Sequence, residues 1–146
     1  MVLKTDFQRS DENSQDPLNA NFTEIEEYIE DTGWISLTLT ADFKAYSTDP
    51  INAPKIRRIG KIVYVSGQVT PTRTIPGSEQ VAIASLPAEF TPVYDFLLRM
   101  QGTGMNTWLC EAVADGQLKF SRYGNMDYAN ATAGVFLPIN FSYPID

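Results

Sequence analysis

Between Phe120 and Asn130 the chain reads Phe-Ser-Arg-Tyr-Gly-Asn-Met-Asp-Tyr-Ala-Asn, a run dense in aromatic and planar polar side chains. Such a mixture suits sugar recognition. Flat rings cover the C–H faces of a pyranose, while amides, carboxylates and guanidinium groups bond its hydroxyls. Tyr123 and Tyr128 are the candidate platforms, and Arg122, Asn125, Asp127 and Asn130 the candidate donors and acceptors. The plainer reading is a polar loop whose aromatics plug a core. Glu111, on an expected strand, is a further candidate, or else a solvent-facing charge. Paired with Asp127 it is the one carboxylate pair worth testing for glycoside hydrolysis. Trp108 reads as core or subunit interface before ligand platform.

The chain has no histidine and one cysteine, Cys110. Ser-His-Asp and Cys-His chemistry and imidazole-bound zinc are therefore excluded, and an internal disulfide is impossible. No metal ligand set and no cofactor motif appears. Cys110 alternates with apolar neighbours and is expected to be buried and inert. Lys55, Arg57, Arg58 and Lys61 form a local basic patch. It reads first as the charge protection of an edge strand. If a ligand carried phosphate, Arg57, Arg58 or Arg122 would be its natural partners.

The net charge of −7 is unevenly spread. Residues 1–31 hold nine acids and two bases, and residues 32–146 hold nine of each. An acidic chain with a neutral main part is a poor partner for nucleic acid or for anionic membranes. No apolar run has the length of a membrane span, and the first residues have no signal-peptide core.

Residues 6–16 are polar, and residues 1–16 read as a linker or attachment arm. Asp16-Pro17 is a helix start, with the acid as cap and proline in the first turn. Leu18, Phe22, Ile25 and Ile29 then repeat at spacings of four, three and four, the seam of a short coiled coil. A helix this short is marginal alone in water. It packs either on copies of itself or on its own chain. From Trp34 the period changes to two. Strands are expected at 34–40, 56–59, 61–69, 81–84, 94–100, 108–113, 117–123 and 134–143. Gly60 and Asp115-Gly116 mark hairpin turns, and Pro138 a bulge or an edge. Strands at this spacing, with no second helix among them, predict a mostly β domain: an antiparallel β-barrel or jelly-roll-like head at 33–146, preceded by a short helical neck at 17–32.

Three features carry a family resemblance. They are the Asn19-Ala20-Asn21-Phe22 helix start in an acidic arm, the run Lys61-Ile62-Val63-Tyr64-Val65-Ser66-Gly67 followed by Ile83-Ala84-Ser85-Leu86-Pro87-Ala88-Glu89-Phe90-Thr91-Pro92, and the terminal Tyr143-Pro144-Ile145-Asp146. The middle block resembles tail proteins of phages of Gram-positive bacteria. The terminus resembles the baseplate receptor-binding proteins of lactococcal siphophages. The resemblance spans about residues 55–146. It implies a homotrimer on the virion tail tip, an N-terminal arm docked to another baseplate or tail protein, and a β head that binds host cell-wall saccharide. In that family a His, an Asp and a Trp of one hairpin hold the sugar, helped by an Arg of the adjacent chain. Matching the Asn106-Thr107-Trp108 hairpin places Leu109 at the His, Glu111 at the Asp, Phe120 at the Trp and Pro138 near the Arg. One carboxylate and one aromatic survive in type, and both cationic donors are missing. The expected saccharide set is therefore Glu111, Phe120, Arg122, Tyr123, Asn125, Asp127 and Tyr128, and no catalysis is expected. The alternatives are a structural baseplate protein without sugar binding, or a carboxylate-based polysaccharide hydrolase.

Overall fold

Two hairpins form where the local turn chemistry predicts them. In the computed structural model, which describes residues 15–146, β4 (Lys55–Ile59) and β5 (Ile62–Ser66) turn at Gly60-Lys61. β9 (Thr107–Val113) and β10 (Gln117–Gly124) turn at Asp115-Gly116. Both glycines have positive φ, which favours residues without a Cβ in tight hairpin turns.

Other apolar runs are each broken and shared between two sheets. The run at 34–40 splits at buried Leu37 into β1 (Ile35–Ser36) and β2 (Thr38–Leu39). The run at 61–69 splits at Gly67 into β5 and β6 (Gln68–Pro71). The run at 134–143 splits into β11 (Leu137–Pro138) and β12 (Phe141–Pro144). The last two breaks lock together. Ile139 N donates to Gly67 O at 3.0 Å, and Gly67 N donates to Asn140 Oδ1 at 3.0 Å. Strands that switch sheets in this way make the corners of a packed β structure.

The remaining strands are β3 (Phe43–Ala45), which alternation did not reveal, β7 (Val81–Ser85) and β8 (Phe96–Gln101). Among the described residues three antiparallel sheets result, in the orders β1-β4-β5-β12, β2-β7-β10-β9-β8 and β11-β6-β3. The domain is mostly β, as expected, but the sheets keep free edges and do not close into a barrel. Pro138 lies on an edge strand, where its missing N–H leaves no gap inside a sheet. Phe43, Ile56, Val63, Ile83, Trp108, Phe120, Tyr123, Leu137 and Tyr143 meet in one core. Trp108 packs tilted against Phe120, ring centres 5.3 Å apart, and donates its indole N–H to Gln101 O at 3.1 Å. Cys110 is buried there, and desolvation pushes its thiol far above the usual range.

The helix α1 (Gln15–Ile29) begins one residue before the expected cap. Its seam faces away from the strands: Leu18, Phe22 and Ile29 are 43%, 57% and 64% exposed, and Ile25 is half-buried. What ties the helix down is its C-terminal end. Gly60 N donates to Glu30 O at 2.7 Å, and a Cβ on Gly60 would sit 2.2 Å from Tyr28 O. Arg58 reaches Glu30 at 2.9 Å, Arg57 pairs with Asp31, and Lys61 lies 5.8 Å from the Tyr28 ring. These cations sit near the negative end of the helix dipole, a favourable place for them. The basic patch is thus not edge protection, since β4 lies inside its sheet. Arg57 and Arg58 are occupied by acids and are poor partners for an anionic ligand. The greater part of the expected attachment arm, residues 1–14, lies outside the described residues.

Candidate functional site

β8, β9 and β10 lie side by side, so their outward side chains form one surface. The register sets Arg99 of β8 opposite Leu109 of β9, and Leu109 opposite Ser121 of β10. Alternation sends Phe96, Leu98 and Met100 toward the core and leaves Leu97, Arg99 and Gln101 exposed. β10 alternates normally only as far as Ser121. Ser121 pairs with Leu109 and Gly124 pairs with Thr107, so Arg122 and Tyr123 together oppose Trp108. This is a β-bulge with one extra residue. Arg122 absorbs it with φ +52°, and among the described residues it alone has positive φ without being glycine. That conformation costs a non-glycine residue about 1–2 kcal/mol.

The bulge decides which side chains meet solvent. Phe120 and Tyr123 both point inward and are 0% and 1% exposed, and Arg122 points out. Phe120 packs on Trp108 and Phe43, and the Tyr123 hydroxyl accepts from Asn106 Nδ2 at 3.3 Å. Neither ring can serve as a sugar platform, and both expectations are corrected. Trp108, wholly buried, is core.

Beyond the bulge the chain doubles back. Gly124 bridges to Tyr128, and Ala129 N donates to Tyr123 O at 2.9 Å. The loop and the two strands border an open cavity of about 310 Å³ lined by Arg99, Arg122, Gly124, Asn125, Met126, Asp127 and Tyr128. Four of the expected residues therefore come together: Arg122, Asn125, Asp127 and Tyr128. Arg99, from a strand more than twenty residues upstream, completes them. Its signal was the alternation of β8, which puts an arginine on an outward position between Leu98 and Met100. Among the described residues the side chains of Arg99 and Arg122 have no ion-pair or hydrogen-bond partner, whereas those of Arg57, Arg58 and Arg73 are all paired. The cavity holds two guanidinium groups against one carboxylate, although the chain as a whole carries −7.

Glu111 stands outside this cavity. It lies on β9 between Leu97 and Lys119 and accepts a hydrogen bond from Gln80 Nε2. Asn130 does not line the cavity either, and Glu111 and Asp127 are not gathered in it as a pair. Among the described residues no three His, Cys, Asp or Glu come together as a metal site. The arrangement offers two guanidinium forks for a phosphate or carboxylate. It adds the exposed Tyr128 ring as an apolar face, and Asn125 and Asp127 as hydroxyl partners.

No family model and no curated protein matches the chain. Several solved structures are similar to it, two phage proteins among them. One is the head domain of lactococcal phage bIL170, a receptor-binding domain, with a TM-score of 0.56 and 15% identity over 77% of this chain and 97% of that one. The other is the receptor-binding protein of Listeria phage PSA, with a TM-score of 0.51 and 18% identity over 89% of this chain and 80% of that one. At these identities the likeness is one of fold, and the chain has the fold of the receptor-binding heads of lactococcal and Listeria phages.

Proposed function

We propose that this chain is a phage receptor-binding protein whose β head attaches the virion to a host cell-surface saccharide. The observation that carries the reading is the pair of unpartnered arginines, Arg99 and Arg122, in a cavity that also offers Tyr128, Asn125 and Asp127. A saccharide bearing an anionic substituent fits that set. The ring lies on Tyr128, the hydroxyls meet Asn125 and Asp127, and the charged group meets the two guanidinium forks. The protein acts as a homotrimer on the tail tip, with α1 as its neck and residues 1–16 docked to another tail or baseplate protein. The outward helix seam supports this oligomeric reading, because a lone exposed helix of this length is marginal in water. Binding is weak per site and gains strength from many copies. Attachment rather than hydrolysis fits a cavity lined by a single carboxylate, Asp127.

The experiment is binding of the full chain to cell-wall polysaccharide purified from lactococcal and Listeria hosts, compared with Arg99→Gln and Arg122→Gln. Binding that falls in both variants supports the reading. Equal binding in all three proteins, or none in any, would sink it.

A further inference from the structure

The strained conformation of Arg122 is held from outside the cavity. Tyr123 N donates to Gly77 O at 3.2 Å, and Tyr123 O accepts from Ala129 N at 2.9 Å. The residue after Arg122 is thus clamped on both its backbone groups, one of them by a segment more than forty positions upstream. That segment is fastened at both ends. Ile75 and Ala131, both fully buried, exchange hydrogen bonds at 2.9 and 2.8 Å. Arg73 donates to Asp42 Oδ1 and to Glu79 Oε1, each at 2.8 Å.

Gly77 sits where the clamp closes. Its φ lies outside the left-handed range, so backbone conformation does not call for glycine there. Space does. A Cβ at Gly77 would lie 2.4 Å from the carbonyl oxygens of both Tyr123 and Ala129, and 2.9 Å from Ala129 N. Those atoms are backbone and cannot swing away as a side chain would. Any side chain at this position pushes β10 and its returning loop off residues 75–77. Released, the bulge loses one of the contacts that hold Arg122 at positive φ against its cost, the pairing with β9 being another.

We propose that Gly77 is a positioning residue for Arg122: it lines no part of the cavity, yet it holds the bulge that aims the Arg122 guanidinium into it. The ligand side of this inference rests on the cavity reading above, whereas its backbone side does not.

The test uses the full chain with Gly77→Ala, and with Arg73→Gln, which frees the same segment at the surface and leaves Gly77 intact. Two readouts are taken. Backbone NMR shifts report φ at Arg122 without any ligand. Affinity for a phosphate-bearing cell-wall polysaccharide purified from lactococcal hosts, and for the same polymer with the phosphate removed, is measured across a range of salt. In folded Gly77→Ala, Arg122 is expected at negative φ. Affinity for the phosphorylated polymer is expected to fall about tenfold with its salt dependence flattened, the size of one lost charge-assisted contact. Arg73→Gln is expected to move both readouts the same way by less. A head that was merely destabilised would keep its salt dependence at temperatures where it stays folded. Positive φ at Arg122 in folded Gly77→Ala overturns the proposal whatever the ligand does. If Gly77→Ala does not fold, unchanged readouts in Arg73→Gln overturn it. If no polysaccharide binds the wild-type chain, the cavity reading fails and the φ measurement alone decides the positioning claim.

Discussion

The carboxylate of Asp31 accepts two hydrogen bonds from the guanidinium of Arg57, one from Nε at 2.8 Å and a second from Nη2. This bidentate pair joins the residue two positions past the end of α1 to the middle of β4. The Arg57 bond and a further bond from Gly33 N hold the Asp31 carboxyl at about 2, below its ordinary 3.8.

A pH dependence follows from that direction. A carboxylate depressed by folding contributes stability that is present above its unfolded value and is lost as pH falls through its folded value. Wild type should therefore lose more stability than Asp31→Asn as pH falls from 3.8 toward about 2. Melting temperatures of both proteins across that window test it. Parallel curves would show that the pair contributes nothing to the joint.

Arg122→Gly should separate stability from binding. Glycine takes a φ of +52° without strain. Relief of about 1–2 kcal/mol outweighs the added unfolded-state entropy, so the variant is expected to be more stable by about 0.5–1 kcal/mol. It should also bind polysaccharide less well, because the guanidinium is gone. Urea unfolding and a binding titration on one preparation check both signs.

Phe120→Ala addresses the corrected platform. Removing a fully buried ring between Trp108 and Phe43 should cost about 3–5 kcal/mol. Denaturant unfolding measures the loss. At temperatures where the variant remains folded, polysaccharide affinity should be unchanged, and a selective loss of affinity would restore Phe120 to the site.

Phe22→Lys tests the neck. Three chains of 16.3 kDa make a particle of about 49 kDa. Light scattering should find that mass for wild type and a smaller one for the variant, with the near-ultraviolet signal of the head retained. Retention is expected because no residue of α1 belongs to the core of the head.

Much of the architecture was legible because its causes are local. The helix follows from the Leu18, Phe22, Ile25, Ile29 repeat, and the two hairpins from Gly60 and Asp115-Gly116. Alternation located most of the strands. Residue identities alone exclude imidazole chemistry and confine the excess negative charge to residues 1–31. Their order places Arg122, Asn125, Asp127 and Tyr128 within one short stretch, so the convergence of these four in a loop needed little help from the rest of the fold.

Which of those side chains face solvent, and what joins them, is set by contacts between strands. A period-two pattern assigns residues to alternate faces and has no way to register an extra one. The bulge at Arg122 depends on its register against β9 and on the carbonyl of Gly77, the latter more than forty positions upstream, and it turns Tyr123 into the core. Likewise the runs at 34–40, 61–69 and 134–143 read as single strands, because the choice of sheet partner is made between strands and not within one. Arg99 entered the cavity for the same reason. Its own neighbours specify an outward position on β8, and only the register with β9 and β10 brings that position beside Arg122.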